Sequence, residues 1–283
     1  MPATILILAG RRPGVTDPLA EVHGLDDKCL VPVTGEPMIL HVLRAALASD
    51  AAQVIISTHN DRLALQLSDA LAQLDTSRVR FVPSAGNLAD SVLRAADGAV
   101  FPMLVTTADA CLLSAVTIAE IDAAALVVSA DAAVGLARKA DVLGVHPDGQ
   151  RRFYALSDVE VSNCNAYWLG SAKALRAAEA FRGGGQFIKK PVRIARAFGV
   201  INLLRFRFGL GPLHIVFDRL GRHMRLKLVP VLVSDGAAAI DVDNERSHRV
   251  TQEVMAARGP ARLAPMPLKE TELVARDVQV AKG

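Results

Sequence analysis

One short stretch near the N-terminus, Thr4-Ile-Leu-Ile-Leu-Ala9, limits the fold more than any other. All but its first residue are apolar, so it cannot alternate between a wet face and a dry one. It reads as a strand buried on both faces, the kind found inside parallel sheets. Such a strand needs parallel neighbours joined by helical crossovers, and the following sequence supplies them. Pro37–Ala48 reads as a helix with proline at its first position and apolar residues at helical spacing. Gln53–Thr58 reads as a second strand and Leu63–Leu74 as a second helix, with leucines at 63, 67, 71 and 74. Val79–Val82, Met103–Thr107 and Leu126–Ser129 read as further strands. Between them lie a short helix over Asp90–Asp97 and another over Ser114–Ala124, with Ser114 as its N-cap. This alternation implies right-handed crossovers and a mostly parallel sheet covered by helices on both faces. Sheets of that kind bind ligands at the carboxyl ends of their strands, here the residues after TILILA and MLVTT.

The second half changes character. His146-Pro-Asp-Gly149 is a turn signal suggesting a hairpin, and Asn165–Leu169 reads as a strand. Arg182 to Lys227 carries eleven basic residues against one acid, Asp218, with bulky apolar residues between them. That mixture suits a helix lying on an anionic surface, and equally a helical insertion with its apolar side on the sheet and its basic side in water. Lys227–Val233 reads as a strand with an edge-type proline, followed by Ile240-Asp-Val-Asp243 and a helix over Arg246–Ala257. The organisation expected is one domain over residues 1–257, including a basic helical insertion at about 182–225, and a peripheral tail over 258–283.

Composition narrows the class. At 51% hydrophobic and 22% charged, the 283 residues describe a globular chain and not a disordered one. A net charge of +3 gives no argument for nucleic acid. Cys29, Cys111 and Cys164 are scattered and odd in number, which suggests neither a disulfide framework nor a zinc knuckle. The first residues lack the basic flank and apolar length of a signal peptide, so the expected location is the cytoplasm. The seven histidines show no metal-ligand spacing and are assigned to surface or packing roles, Trp168 to the core, and Asp17, Asp26 and Asp27 to solvent.

Three segments can carry chemistry. The glycine-containing loop from Gly10 exposes backbone N–H groups suited to phosphates, and Arg11, Arg12 and Lys28 add positive charge. Asp109 lies just beyond a buried strand, where a hard cation takes oxygen ligands. Asp241 and Asp243 share a side if that stretch is extended, and offer two more carboxylates.

In this order, the segments resemble the NTP-transferase family typified by molybdenum-cofactor guanylyltransferases and sugar- and alcohol-phosphate cytidylyltransferases. The resemblance runs from ILAG through KCLVPVTGEPMILHVL, the Gly86–Leu93 segment, TTADACLL and SNCNAYWL to AIDVDNERSH. It covers about residues 4 to 257. It implies a Rossmann-like, three-layer α/β fold similar to that of A-type glycosyltransferases. It also implies transfer of a nucleoside monophosphate from an NTP to a phosphorylated small acceptor, with Mg2+ as cofactor and pyrophosphate released. Carried over, the triphosphate falls to Leu8, Ala9, Gly10, Arg11, Arg12 and Lys28. Gly86 and Ser91 lie against the base, Asp109 and Asp243 hold the metal with Asp241 beside them, and Asn163 or Asn165 touches the acceptor. The Gly86–Leu93 segment looks most like the cytidylyltransferase version, which points to CTP. The attacking phosphate is already ionised, so no general base is required.

The sequence departs from the family after Gly10. Arg11-Arg12-Pro13-Gly14 stands where the family has paired glycines and an Arg-Met-Gly step. Two other readings remain. An A-type glycosyltransferase would generally carry Asp-x-Asp where this chain has Thr107-Ala108-Asp109, and a non-catalytic nucleotide-binding protein is favoured only by the altered loop. For the basic segment, the sharper reading is contact with an anionic membrane or a lipid-linked acceptor.

Overall fold

A computed structural model describes residues 1–11, 16–179 and 211–259. Arg12, residues 182–210 of the basic insertion and the tail from 260 onward lie outside the described residues.

The chain opens with β1 (Thr4–Leu8) and α1 (Pro18–Val22), then the small antiparallel pair β2 (Pro32–Val33) and β3 (Glu36–Pro37). α2 (Met38–Leu47), β4 (Gln53–Thr58), the single turns α3 (Leu63–Gln66) and α4 (Ser68–Leu71), β5 (Val79–Pro83) and α5 (Leu88–Ala96) follow. Next come β6 (Met103–Thr107), α6 (Ala115–Val127), β7 (Ala132–Arg138), α7 (Lys139–Val145), β8 (Tyr154–Ala155), β9 (Glu160–Leu169) and α8 (Leu175–Glu179). The last described elements are α9 (Leu213–Met224), β10 (Leu228–Leu232) and α10 (Glu245–Arg258).

The main sheet runs β10-β7-β9-β6-β1-β4-β5, with β8 paired to β9. β1 is hydrogen-bonded in parallel to β4 on one side and β6 on the other, and only β9 and β8 break the parallel pattern. The unbroken apolar run of β1 follows from this placement, because both faces of the strand are covered. Ile5 and Ile7 pack with Ile39 and Leu43 of α2, Ile118 of α6 and Val250 of α10. Leu6 packs on the other side with Val92 of α5 and Val216 and Phe217 of α9. The result is the expected three-layer α/β arrangement.

Several boundaries differ from the sequence reading. Leu126–Ser129 is not a strand: α6 continues through Val127, where Leu126 and Val127 are exposed. A left-handed Ser129 stops the helix, and Ala130 N–H returns to the Ala125 carbonyl. The real strand is β7, whose small residues (AAVGLAR) lack the bulky signature sought. Gly135 explains that choice, since a Cβ there would meet Ile121 at 2.7 Å. The leucine-spaced helix over 63–74 is interrupted at Leu67. His146–Gly149 does form a tight turn, but it follows α7, and the hairpin lies further on between β8 and β9. Pro37 caps α2 from the end of β3 instead of starting the helix.

Within the described part of the basic insertion, α9 buries Leu213, Val216, Phe217 and Leu220 against the sheet layer. Its apolar side therefore has a packing role. Pro230 sits in β10, which ends the sheet, as an edge proline should. No helix among the described residues is long and apolar enough to cross a membrane.

Candidate active site

The parallel register sets the site. Leu8 lies opposite Thr107, so the loops after β1 and β6 leave the sheet side by side, and Ala108 N–H bonds the Leu8 carbonyl at 3.0 Å. Asp109 follows immediately, its carboxylate held by the Thr107 hydroxyl. A backbone bond of 3.0 Å from Val242 N–H to the Asp109 carbonyl ties in the Asp241–Asp243 segment. The third contributor is the single turn Lys28–Leu30, closed by Leu30 N–H on the Asp27 carbonyl. From it, the Lys28 ammonium reaches Asp109 Oδ2 at 2.7 Å and Asp243 Oδ1 at 3.0 Å.

Burial, the largest single influence on Lys28, acts to lower its pKa. The charges and hydrogen bonds of Asp109 and Asp243 outweigh it and hold the ammonium above the ordinary lysine range. Two carboxylates from distant segments thus converge on one cation. Among the described residues there is no group of three or more His, Cys, Asp or Glu side chains arranged to hold a metal. What exists is a pair of hard oxygen donors, Asp109 and Asp243, bridged by one lysine that offsets half of their charge.

Asp241 lies beside them with a different surrounding. The stretch is not a strand here, and Asp243 is exposed whereas the Asp241 carboxylate points inward. Asn165 Nδ2 donates to its Oδ2 at 3.1 Å, and Gln150 Nε2 approaches its Oδ1 at 3.5 Å. Burial, together with the charges of Asp243 and Asp109, pushes its carboxyl up to about 7. Asn165 can reach it because β9 bulges: Val134 pairs with Tyr167 but Leu136 pairs with Asn163, which leaves two extra residues in β9. Asn165 takes φ of +50° there, a conformation asparagine tolerates better than most residues. Asn163 supports it, donating to Asn165 Oδ1 at 3.0 Å and to the Tyr167 hydroxyl at 2.6 Å. The two asparagines are therefore engaged in holding Asp241.

On the other side of β1, the loops after β4 and β5 close in. Gly10 approaches Ser84 so tightly that an added Cβ would lie 3.0 Å from its Oγ. The buried Ser91 hydroxyl accepts from Ala85 N–H and donates to the Asn87 carbonyl, both at 2.9 Å, which shapes the loop around Gly86. Gly86 itself has open space around it. Arg11 is exposed, with its guanidinium 3.4 Å from the Asp26 carbonyl.

Sequence reasoning missed three participants. Asp27 is buried, not solvated; its Oδ2 accepts from Asn60 Nδ2 at 2.6 Å, and its Oδ1 lies 2.9 Å from His59 Nε2 without a hydrogen bond. His59, placed among the packing histidines, also receives the Arg11 N–H on Nδ1 at 3.1 Å. Gln150 reaches Asp241 from the turn after α7. His59 and Asn60 directly follow a buried parallel strand, so the carboxyl-edge rule could have found them; Gln150 carries no such signal. Trp168 is core, as read, with its indole N–H on the buried Asp122 at 2.7 Å. All three cysteines are free and buried, and burial pushes the Cys29 thiol up to about 12.

Known proteins share this fold. Among solved structures, the chain is similar to a hypothetical transferase from Thermus thermophilus, with a TM-score of 0.72 at 22% identity, covering 88% of this chain and 100% of that one. It is also similar to CMP:2-keto-3-deoxy-manno-octonic acid synthetase complexed with CTP, with a TM-score of 0.54 at 11% identity, covering 90% and 99%. A third is 2-C-methyl-D-erythritol 4-phosphate cytidylyltransferase, also from Thermus thermophilus, with a TM-score of 0.51 at 14% identity, covering 90% and 98%. At these identities the likeness establishes the fold. A comparison with curated protein sequences finds no match. The sequence itself matches the MobA-like NTP transferase domain over residues 6–193, a span that holds the loop from Gly10, Lys28, Asp109 and both asparagines, and the chain belongs to that nucleotidyltransferase family.

Proposed function

We propose that this protein transfers a nucleoside monophosphate from an NTP to a phosphorylated small acceptor, such as a sugar or alcohol phosphate, and releases pyrophosphate. The observation that carries the reading is the Lys28 ammonium between Asp109 and Asp243, at 2.7 and 3.0 Å, on the carboxyl edge of a parallel sheet. Lys28 offers positive charge to the triphosphate, and the loop around Gly86, shaped by Ser91, offers a place for the base. CTP is the base we favour, from the character of the Gly86–Leu93 segment.

Asp109 and Asp243 suit Mg2+, which favours hard oxygen donors and is commonly bound by one or two carboxylates plus substrate phosphates. Bound there, the ion would neutralise and align phosphate oxygens during in-line attack. The pair of carboxylates fits an ion that arrives with nucleotide better than one caged by protein alone. Asn165 and Gln150 keep Asp241 in place beside the pair, so its charge state responds to what the pair binds. The acceptor phosphate is its own ionised nucleophile, and the chain's task is to bring two anions together, which is electrostatic and positional.

The test is pyrophosphate release with each of the four NTPs and a panel of sugar and alcohol phosphates, with Mg2+ and with chelator. Acceptor-dependent release with one NTP supports the reading. Hydrolysis of a nucleotide sugar, with no pyrophosphate from any NTP, would replace it with a glycosyltransferase reading.

A further inference from the structure

We infer that His59 is a positioning residue that latches the loop after β1 to the turn carrying Lys28. Its two ring nitrogens have different tasks. Nδ1 accepts the Arg11 N–H at 3.1 Å, and Nε2 lies 2.9 Å from Asp27 Oδ1, a buried oxygen with no hydrogen-bond donor of its own, close to it but off the line of a hydrogen bond. Asp27 immediately precedes Lys28 and its carbonyl closes the Lys28 turn. The carboxylate of Asp27 is also gripped by Asn60 Nδ2 at 2.6 Å, and that amide bonds Gln66 Oε1 at 2.7 Å. One imidazole at the end of β4 therefore joins the loop of backbone donors to the turn of the catalytic-site lysine.

The position of the latch matters because the loop departs from its family here, with arginines in place of a second glycine. A Gly-Gly loop holds its amides in place through backbone turns. This loop has a side chain from the next strand holding the amide of the residue after Gly10. The inference rests on the nucleotidyltransferase reading only for its consequence, ordered presentation of Arg11 and Lys28 to a triphosphate.

Two substitutions separate the halves of the latch. In His59→Asn, the amide oxygen stands where Nδ1 stood and can still accept from Arg11. In His59→Gln, the amide nitrogen stands where Nε2 stood and stays beside Asp27, but the Arg11 acceptor is gone. Hydrogen exchange at the Arg11 amide and affinity for each NTP with Mg2+ are measured in wild type and both variants, with thermal melts confirming the fold. We expect slow Arg11 exchange in wild type and His59→Asn, severalfold faster exchange in His59→Gln, and NTP affinity about three- to tenfold weaker in both variants, because each cuts one half of the latch. Exchange in His59→Gln as slow as in wild type overturns the latch, and so does NTP binding as tight or tighter. If wild type binds no NTP, the functional reading fails while amide exchange still decides the latch.

Discussion

Replacing Asp241 with asparagine should stabilise the ligand-free protein above neutral pH. In the folded chain, burial and the neighbouring Asp243 and Asp109 charges raise this carboxyl from 3.8 to about 7. The folded state therefore holds a proton between those values that the unfolded state has released. The stability linked to this group is fully present below about pH 4 and is lost as pH rises through about 7. The gap of about three units, at about 1.4 kcal/mol each, sets a ceiling of about 4 kcal/mol. Between pH 5 and pH 8.5 about two of those units fall in the window, or about 3 kcal/mol. At about 2–4 °C per kcal/mol for a chain of this size, the melting temperatures should diverge by about 6–12 °C. Asparagine keeps an oxygen to accept from Asn165 but carries no charge. The assay is a pair of thermal melts, wild type and Asp241→Asn, across that window with chelator and no nucleotide. Glu36, lowered chiefly by its hydrogen bonds from Arg44, and Asp131, lowered chiefly by the Lys227 N–H, lose their contributions only in acid, below the window. Curves for wild type and variant that stay parallel from pH 5 to pH 8.5 would refute the reasoning.

Asp109→Asn and Asp243→Asn should each lower turnover by about a hundredfold or more while leaving the fold intact, as expected when charge at the reacting phosphates is removed; near-normal pyrophosphate release in both would contradict the assignment. Gly10→Ala should push the loop away from Ser84, whose Oγ would lie 3.0 Å from the new Cβ, and weaken NTP binding. Ser84→Gly in the same chain should restore much of that affinity, and failure to restore it would mean the close approach is not what requires glycine. For the basic segment, we expect co-sedimentation with anionic vesicles at low salt that fades at high salt, each basic residue near the surface adding about 1 kcal/mol. Equal, negligible binding to anionic and neutral vesicles would leave the packing role that α9 already has.

The sheet was readable because β1, β4 and β6 are buried on both faces and show it as unbroken apolar runs. The same property pointed to the candidate site, since Asp109 and the loop from Gly10 follow such runs directly. Lys28 and Asp243 were each legible as charged candidates, but their meeting with Asp109 was not, because contacts spanning 81 and 215 residues leave no local trace. β7 was missed where packing against Ile121 demands glycine and alanine, residues that local propensity reads as loop or helix. The two-residue bulge in β9 was equally hidden. The resemblance offered Asn163 or Asn165 without choosing between them, and the bulge with its left-handed Asn165 turns one of them onto Asp241. The Asp27–His59–Arg11 bridge escaped because a buried aspartate beside a lysine looks, in sequence, like any pair of surface charges.

The central claim is that a triphosphate with Mg2+ binds at Lys28 between the two carboxylates. Thermal shift of wild type and Lys28→Ala with each of the four NTPs, with Mg2+ and with chelator, tests it most directly. At a hundred times its Kd a ligand adds about 2.7 kcal/mol, so the preferred NTP should raise the melting temperature of wild type by about 5–10 °C. We expect that rise to need Mg2+ and to be mostly lost in Lys28→Ala. No rise with any NTP, or an equal rise in Lys28→Ala, would contradict the account.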